Sequence, residues 1–363
     1  MTITAQDAAA RAWVDVDLEA LVANARTVAA RSGRPLLPMV KANGYGLGAV
    51  RVARALERVD PWGYGVATPE EGAELRAARL SRPVVVFTPF LPDWMPVFLR
   101  EDLRPAIGDI DALRAWLAAA GGRPFHLEID SGMGRAGLRW SDGDGIAAAA
   151  ALLREATGWE GVFTHFHSAE TDEASLEEQW ERFTRAVAAL GRKPPMVHAA
   201  NSAAALRGAR YAADLVRPGI YLYGGDAGAA APAPEPVVRV SARVVATRRV
   251  AAGEPVSYGA AWRASGATNI ATLGIGYADG VLRSLAKRGV AALGERIVPF
   301  AGRVTMDMTM LDAGDAPVAV GDVATLVGGP IALSDQAARA GTISYELLTA
   351  LGGRLERRYG EAR

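Results

Sequence analysis

The side chain best placed to do chemistry is Lys41, in the segment Met-Val-Lys-Ala-Asn-Gly-Tyr-Gly at 39–46. It follows a short apolar run directly, and Gly44 and Gly46 come soon after it. A lysine amine at the end of a strand can condense with a carbonyl group, and glycines let backbone and a bulky ligand approach closely. A lysine in an ordinary surface loop would look the same, so the other motifs must decide between the two interpretations.

Two further segments suit a phosphate group. His-Ala-Ala-Asn-Ser at 198–202 offers the Ser202 hydroxyl, and Arg-Pro-Gly-Ile-Tyr at 217–221 offers the backbone N–H groups of Gly219 and Ile220. Asn201 or Ser202 is also a good helix N-cap, and that role leaves N–H groups free for an anion.

The composition excludes several other kinds of protein. Lys+Arg and Asp+Glu each number 40, so no excess charge points to nucleic acid or to an anionic membrane surface. The chain has no cysteine and only four histidines, so we expect no disulfide, no thiolate nucleophile and no metal site. Met1 to Arg11 lacks a secretory pattern, and no apolar run approaches the ~20 residues that span a bilayer. We therefore expect a cytoplasmic protein.

Eight short apolar runs alternate with helical patterns over the first two thirds of the chain. The runs are Leu36–Val40, Trp62–Ala67, Val84–Phe87, Leu103–Ile107, Phe125–Ile129, Val162–His165, Met196–His198 and Leu215–Tyr221. Eight strands alternating with helices predict an α/β fold, a TIM-like (β/α)8 barrel over 10–230, with a doubly wound open sheet as the alternative.

A change of periodicity after an Ala-, Gly- and Pro-rich linker at 226–236 predicts a second domain. From 237 to 363 the pattern is mostly that of β-strands, with a final helix over 344–351. A strand near 12–16 precedes a helix over 18–31, and this strand could join the C-terminal domain.

The carboxyl ends of barrel strands meet at one mouth, where such proteins do their chemistry. The polar residues at or just after predicted strands therefore converge there. They are Lys41, Tyr45, Glu128, Asp130, Arg135, His165, Asn201, Ser202 and Arg217.

Together these segments resemble the motifs of the alanine racemases. The resemblance is carried by the lysine segment, by 130–135, 163–166, 198–202 and 216–224, and by 256–259, 276–280 and 302–307 in the second domain. It runs from Trp13 to Tyr359, almost the whole chain.

The resemblance implies a homodimer that uses pyridoxal phosphate and shares active sites between subunits. Lys41 would carry the cofactor covalently and act as one of two bases, while Tyr258 of the other subunit would be the second. Arg217 would lie beside the pyridine nitrogen, and His165 would lie behind the ring. Arg135 and the Met306 N–H would bind the substrate carboxylate.

The family pattern assigns supporting roles to further residues. Tyr45, Asn201, Ser202, Gly219, Ile220 and Tyr359 would hold the cofactor. The entrance would be shaped or supported by Glu128, Glu170, Tyr277, Arg283, Arg303 and Asp307.

Glu128 departs from the family pattern. Many members have a carbamylated lysine at this position, which supplies a carboxylate to support the arginine. Glu128 is already a carboxylate, so we expect it to pair with Arg135 without carbamylation.

Substitutions near the expected substrate wall leave the amino acid open. They are Gly44, Leu47, Val281, Thr305 and Met308, together with an extra imidazole at His167. Alanine is the substrate that we expect first, and serine or a broader range of amino acids is the alternative. With alanine as substrate, the resemblance implies that the protein supplies D-alanine as a peptidoglycan precursor. A decarboxylase of the same fold is less favoured because the chain has no cysteine, and a non-catalytic pyridoxal phosphate carrier is less favoured because such proteins lack the second domain.

Overall fold

The computed structural model describes residues 10–228 and 230–360. The first residues, on which the expectation of no secretory leader mainly depends, lie outside this part of the chain. The last three residues of the expected second domain, 361–363, lie outside it as well.

The first part of the chain forms a parallel barrel. Its strands are β2 (Tyr64–Val66), β3 (Val84–Pro89), β4 (Arg104–Ile107), β5 (Phe125–Asp130), β7 (Trp159–Phe163) and β8 (Met196–His198), with β6 (Leu138–Arg139) paired on the side of β5. The helices are α1 (Leu18–Ser32), α2 (Lys41–Tyr45), α3 (Ala49–Leu56), α4 (Pro69–Ala77), α5 (Met95–Arg100), α6 (Ile110–Ala119), α7 (Gly143–Leu153), α8 (Glu173–Ala189) and α9 (Ser202–Leu206).

Two of the eight predicted strands are not regular strands. Residues 36–40 and 215–218 pair only through single parallel bridges, Leu36 with Val216 and Met39 with Gly65. Pro38 and Pro218 lack an N–H group, and this interrupts the hydrogen-bond ladder. Residues 220 and 221, predicted as the end of the last strand, belong instead to a 3₁₀ turn over Ile220–Tyr223.

These two irregular segments nevertheless close the ring. The Val40 N–H donates to Gly65 and the Leu37 N–H to Val216, both over 2.8 Å. On the other side, the Arg217 N–H donates to the Ala200 carbonyl over 2.8 Å. The barrel prediction is therefore confirmed, and an open sheet is excluded.

The last third of the chain is rich in strands, as predicted. They are β9 (Val238–Val250), β10 (Pro255–Val256), β11 (Trp262–Arg263), β12 (Thr268–Leu273), β13 (Val290–Leu293), β14 (Arg296–Pro299), β15 (Thr309–Gly314), β16 (Val323–Val327) and β17 (Glu356–Gly360). Two helices follow β16, α10 (Leu333–Ala340) and α11 (Ser344–Thr349). Only the second of these helices is evident from the sequence.

The first strand, β1 (Ala12–Asp17), lies in the sheet of the C-terminal part. It runs antiparallel to β9 and parallel to β17. Asp17 then caps α1 by accepting a hydrogen bond from the Ala20 N–H over 2.8 Å. The chain therefore starts in the β-rich part, crosses into the barrel and returns.

An ion cluster around the buried Asp279 ties the N-terminal segment to the C-terminal part. The fully buried carboxylate of Asp279 accepts from Arg11 Nη2 over 2.6 Å and from Arg354 Nε over 2.8 Å. Arg354 also donates to Asp307 over 2.9 Å. Because Asp279 is fully buried, its charge depends on both arginines for compensation.

Candidate active site

A cavity of about 770 Å³ opens at the carboxyl ends of the barrel strands. Helices α10 and α11 of the C-terminal part form one wall of it. Its lining includes ten residues expected from the sequence: Lys41, Tyr45, Arg135, His165, Glu170, Asn201, Ser202, Arg217, Gly219 and Ile220. The structure therefore brings together side chains that are spread over 180 residues of sequence.

Lys41 begins a turn with unusual backbone geometry. Ala42, Asn43 and Tyr45 adopt left-handed φ values of 52°, 53° and 53°, beside Gly44 at 60°. Left-handed conformations are costly for residues other than glycine, so the fold must hold the turn in place. The Glu71 carboxylate does so by accepting from the Ala42 N–H over 2.6 Å.

The Lys41 amine is poised to act as a base. The side chain is half-buried at the cavity mouth. Burial lowers the pKa of Lys41, and the nearby positive charge of Arg135 lowers it further. A larger fraction of neutral amine is therefore present near neutral pH than for an exposed lysine.

Arg217 lies almost fully buried, with 4% of its surface exposed. Nη1 lies 2.9 Å from His198 Nδ1, and Nη2 donates to the Thr164 and Ala199 carbonyls over 2.7 and 3.1 Å. Burial lowers the pKa of Arg217 to about 9, so the guanidinium remains charged at neutral pH. The residue therefore places a fixed positive charge on the cavity wall.

His165 lies next to this charge. Its Nδ1 is 3.3 Å from Arg217 Nη2. Burial lowers the pKa of His165 to about 3, and the positive charges of Arg217 and Arg135 contribute. A neutral imidazole therefore borders the cavity at neutral pH.

The lining of the cavity also includes hydroxyl and N–H groups. The Ser202 hydroxyl accepts from the Gly219 N–H over 2.9 Å, while Asn201 caps α9 by accepting from the Ala204 N–H over 3.0 Å. Tyr45 is stacked on Tyr223 at 4.4 Å between ring centroids. A side chain at position 219 would clash with the Tyr45 hydroxyl, so only glycine fits there.

Glu128 does not form the pair that the sequence suggested. It is 4% exposed, and its Oε2 has no hydrogen-bond partner among the described residues. Burial raises the pKa of Glu128 to about 7, although the charges of Arg135 and Arg217 act in the opposite direction. The influence of Arg135 on Glu128 therefore acts through space and not through a direct hydrogen bond.

The expected residues of the β-rich part lie elsewhere on the protomer. Of the described residues that line the cavity, none falls between 230 and 333. Tyr258 and Met306 are 70% and 53% exposed, and Arg283 lies 5.8 Å from the centre of the Tyr277 ring. Arg303 borders Gly259, next to Tyr258. Asp307 is paired with Arg354, as described above.

Comparisons with known proteins agree with this architecture. The family model for the alanine racemase N-terminal domain matches residues 16–227, and the model for the C-terminal domain matches residues 237–359. The chain belongs to the alanine racemase family.

Relatives within the family match the chain over nearly its full length. The alanine racemase of Acidiphilium cryptum (strain JF-5) is 38% identical over 94% of this chain and 97% of its own. That of Deinococcus radiodurans is 37% identical over 96% and 99%. A crystal structure of alanine racemase from Bartonella henselae with covalently bound pyridoxal phosphate is 30% identical, with a TM-score of 0.90 over 97% of this chain and 100% of that one.

One expected cofactor contact lies outside the cavity. The Tyr359 hydroxyl donates to the Leu47 carbonyl over 3.0 Å, and the residue does not line the cavity. Tyr345, at the start of α11, lines it instead, with its ring 6.0 Å from that of Tyr45. Tyr359 was expected at the cofactor because the resemblance to the family matched it with a phosphate-contacting tyrosine. The helical pattern around Tyr345 was visible, but not the contact of this helix with the barrel mouth.

Further lining residues also escaped the sequence interpretation. They are mostly apolar or small, and include Phe87, Met133, Thr342 and Ile343. Their residue types are common in any core or loop, so no sequence signal distinguishes them.

In the described part of the chain, no group of three or more His, Asp or Glu residues could hold a metal ion. None of the described helices combines the length and the apolar character that crossing a membrane requires.

Proposed function

We propose that this protein is a pyridoxal phosphate-dependent racemase that interconverts L- and D-alanine. The observation that carries the proposal is the placement of the Lys41 amine, the buried Arg217 guanidinium and a set of hydroxyl and N–H groups in one cavity. Members of the alanine racemase family use this cofactor, and both domains of the family match this chain.

The donors in the cavity fit the cofactor. A phosphate group is matched by the hydroxyls of Ser202, Tyr45 and Tyr345 and by the Ile220 N–H, at the end where glycine keeps position 219 clear. Arg217 fits beside a ring nitrogen because its charge disfavours protonation of that nitrogen. Lys41 is the one amine among the lining residues that could bond to an aldehyde.

The protein residues then govern the movement of the proton. Bound pyridoxal phosphate withdraws electrons from the substrate Cα and makes its hydrogen acidic. Lys41 Nζ takes or returns this proton on one face. The lowered pKa of Lys41 favours the neutral amine that such a base requires. Arg135 lies at the cavity and can bind the substrate carboxylate in a bidentate manner.

The base for the opposite face is Tyr258 of a second copy of the chain. On its own protomer Tyr258 is exposed and lies outside the cavity, as does Met306. A homodimer that inserts both residues into the partner's cavity would bury these exposed side chains and complete the site. Tyr277, Arg283, Arg303 and Asp307 would then line the entrance, together with Glu170. The location in the cytoplasm stays a prediction.

Isotope exchange tests the proposal directly. Wild-type protein incubated with L-alanine in D₂O should form D-alanine that carries deuterium at Cα. With Tyr258→Phe, racemisation should fall by at least about 100-fold, because general acid–base groups contribute 10²–10⁴-fold. Lys41 can still remove the proton of one enantiomer, so exchange without inversion should persist there. Full racemisation by Tyr258→Phe, or a monomer that racemises alanine at the wild-type rate, would disprove the shared site.

Serine or a broader set of amino acids remains the second candidate substrate. Among the substitutions that leave the amino acid open, Val281 stands where the family commonly has an aromatic residue, and a smaller side chain near the substrate would suit a larger substrate. Val281 is buried and lines no part of the cavity on its own protomer, so its position gives that argument no support. Racemisation rates for alanine and serine, measured side by side, distinguish the two. Supply of D-alanine for peptidoglycan is the role that we propose with alanine.

A further inference from the structure

A chain of buried hydrogen bonds leads from Arg217 away from the cavity and through the barrel interior. Arg217 Nη1 lies 2.9 Å from His198 Nδ1. His198 Nε2 lies 2.7 Å from His126 Nδ1, and His126 Nε2 lies 3.0 Å from Glu160 Oε2. Both histidines are fully buried, whereas the Glu160 side chain is 25% exposed. The chain thus connects the candidate active site with a carboxylate near the amino-terminal ends of the strands.

The chemistry of its ends fixes the direction of every hydrogen bond. A guanidinium can only donate, so His198 Nδ1 must accept and His198 must carry its proton on Nε2. That proton is donated to His126 Nδ1, which places the His126 proton on Nε2. The ionised Glu160 accepts it at the far end. Both imidazoles are therefore neutral and have the same tautomer.

Local features of the sequence place the Glu160 end of this series of hydrogen bonds. The pairing of β5 with β7 shifts between Phe125 and His126, which leaves Glu160 as the extra residue of a β-bulge. Bulges commonly re-aim a side chain. The next residue, Gly161, leaves room for the imidazole, because a Cβ there would lie 2.8 Å from His126 Nδ1. On the outer side, Arg104 Nε donates to Glu160 over 3.3 Å.

The second imidazole is also held by its neighbours. The His198 ring stacks on Phe163, with centroids 5.1 Å apart and planes at 20°. Burial lowers the pKa of both His126 and His198, and the charge of Arg217 acts in the same direction on each. A second positive charge next to Arg217 is therefore disfavoured.

We infer that Glu160, His126 and His198 are positioning residues for Arg217. The ionised Glu160 fixes the direction of each hydrogen bond, and the two neutral imidazoles present an acceptor nitrogen to the guanidinium. His198 and the two carbonyl acceptors occupy both Nη atoms of Arg217. The Nε–H group makes no hydrogen bond within the described part of the chain and is left for a ligand. The fixed tautomers hold the guanidinium plane in one orientation, and the ionised Glu160 at the far end determines which tautomers those are.

This inference rests on the role proposed for Arg217 beside the cofactor ring, but its first test does not depend on activity. The chain has only four histidines, so ¹⁵N spectra of histidine-labelled holoenzyme can be assigned with single substitutions. We expect His126 and His198 to be neutral, with the proton on Nε2, from pH 6 to 9. A protonated ring, or a proton on Nδ1 of either residue, would overturn the inference.

The second test separates charge from shape. Glu160→Gln keeps the shape and loses the charge, whereas Glu160→Asp keeps the charge on a shorter arm. We expect Glu160→Gln to lower kcat for L-alanine about tenfold, because His126 then donates to a neutral amide oxygen and not to a carboxylate, with KM changed less than twofold. Glu160→Asp should lose less. A purely structural role predicts the reverse order, and equal losses or the reverse order would refute the proposal.

Glu57→Gln is the matched control. Glu57 also joins a buried donor to an arginine, because it accepts from the Tyr64 hydroxyl over 2.6 Å and from Arg82 Nε over 2.7 Å. No hydrogen bond among the described residues connects it to Arg217, so its kcat should stay within twofold of wild type. If the wild-type protein does not racemise alanine, the proposed function fails. The ¹⁵N spectra still decide whether the hydrogen bonds from Arg217 to Glu160 exist.

Discussion

Replacement of the buried Glu128 by glutamine should change the pH dependence of stability. The carboxyl group is almost fully buried, and its Oε2 lacks a hydrogen-bond partner among the described residues. Burial raises the pKa of Glu128 from 4.5 to about 7. Folding therefore favours the protonated carboxyl group. The stability that this group contributes is present below pH 4.5 and is lost as the pH rises to about 7.

The size of the effect follows from that difference in pKa. At 1.36 kcal/mol for each pH unit, the difference between 4.5 and about 7 corresponds to about 3 kcal/mol. The wild-type protein bears this cost in full above pH 7, whereas Glu128→Gln carries no charge at any pH. Relative to wild type, the variant should therefore gain about 3 kcal/mol in free energy of unfolding between pH 4.5 and pH 8.

Urea unfolding of the holoenzyme, followed by tryptophan fluorescence at several pH values, measures this difference. Glu155→Gln is the control, since it removes one carboxylate from an exposed position. The stability difference between this control and wild type should vary little with pH. If the difference for Glu128→Gln is the same at pH 5 and pH 8, the carboxyl group does not titrate in this range and the reasoning is wrong.

The same variant tests the link between Glu128 and substrate binding. The ionised carboxylate acts through space on Arg135, so its loss should raise KM for L-alanine about fivefold at pH 8, which corresponds to about 1 kcal/mol. An unchanged KM and kcat would show that Glu128 does not support Arg135.

Three other variants give simple expectations. Lys41→Ala should lack the visible absorbance of covalently bound cofactor, which in the wild type should disappear on borohydride treatment; retained absorbance would exclude Lys41 as the attachment point. Tyr345→Phe should weaken pyridoxal phosphate binding about tenfold, the effect of one hydrogen bond to a charged group, whereas Tyr359→Phe should bind it like the wild type. Equilibrium titration of the cofactor-free proteins compares the two, and the opposite ranking would restore Tyr359 as the cofactor contact. Asp279→Asn should lower the free energy of unfolding by about 2–3 kcal/mol, because two arginines lose a buried counter-charge. A loss below about 0.5 kcal/mol in urea unfolding would contradict that account.

The fold could be predicted from the sequence because its signals are local. Alternating apolar runs and helical patterns showed the barrel, and a change of period after residue 236 showed the β-rich part. The first and last barrel strands were predicted as regular strands, but in the structure they pair only through single bridges. Pro38 and Pro218 leave gaps in the ladder, and the ring is closed by a few hydrogen bonds from neighbouring residues. The counting of strands does not detect such gaps.

The sequence alone also determined the chemical groups at the barrel mouth. Lys41, His165, Ser202 and Arg217 each lie in or just after a predicted strand, and the carboxyl ends of parallel strands must meet. This argument needs only the order of the elements, and the cavity contains all four.

Only the tertiary structure decided which distant groups touch. It placed Tyr345, and not Tyr359, at the cavity, because the contact of α11 with the barrel depends on how the two parts of the chain pack. It left Glu128 without a direct partner, and it joined Arg217 to Glu160 through two histidines from different strands. The spacing of residues along a chain determines which face of an element they share. Hydrogen-bond distances, burial and the resulting pKa changes depend on neighbours that the fold brings from elsewhere.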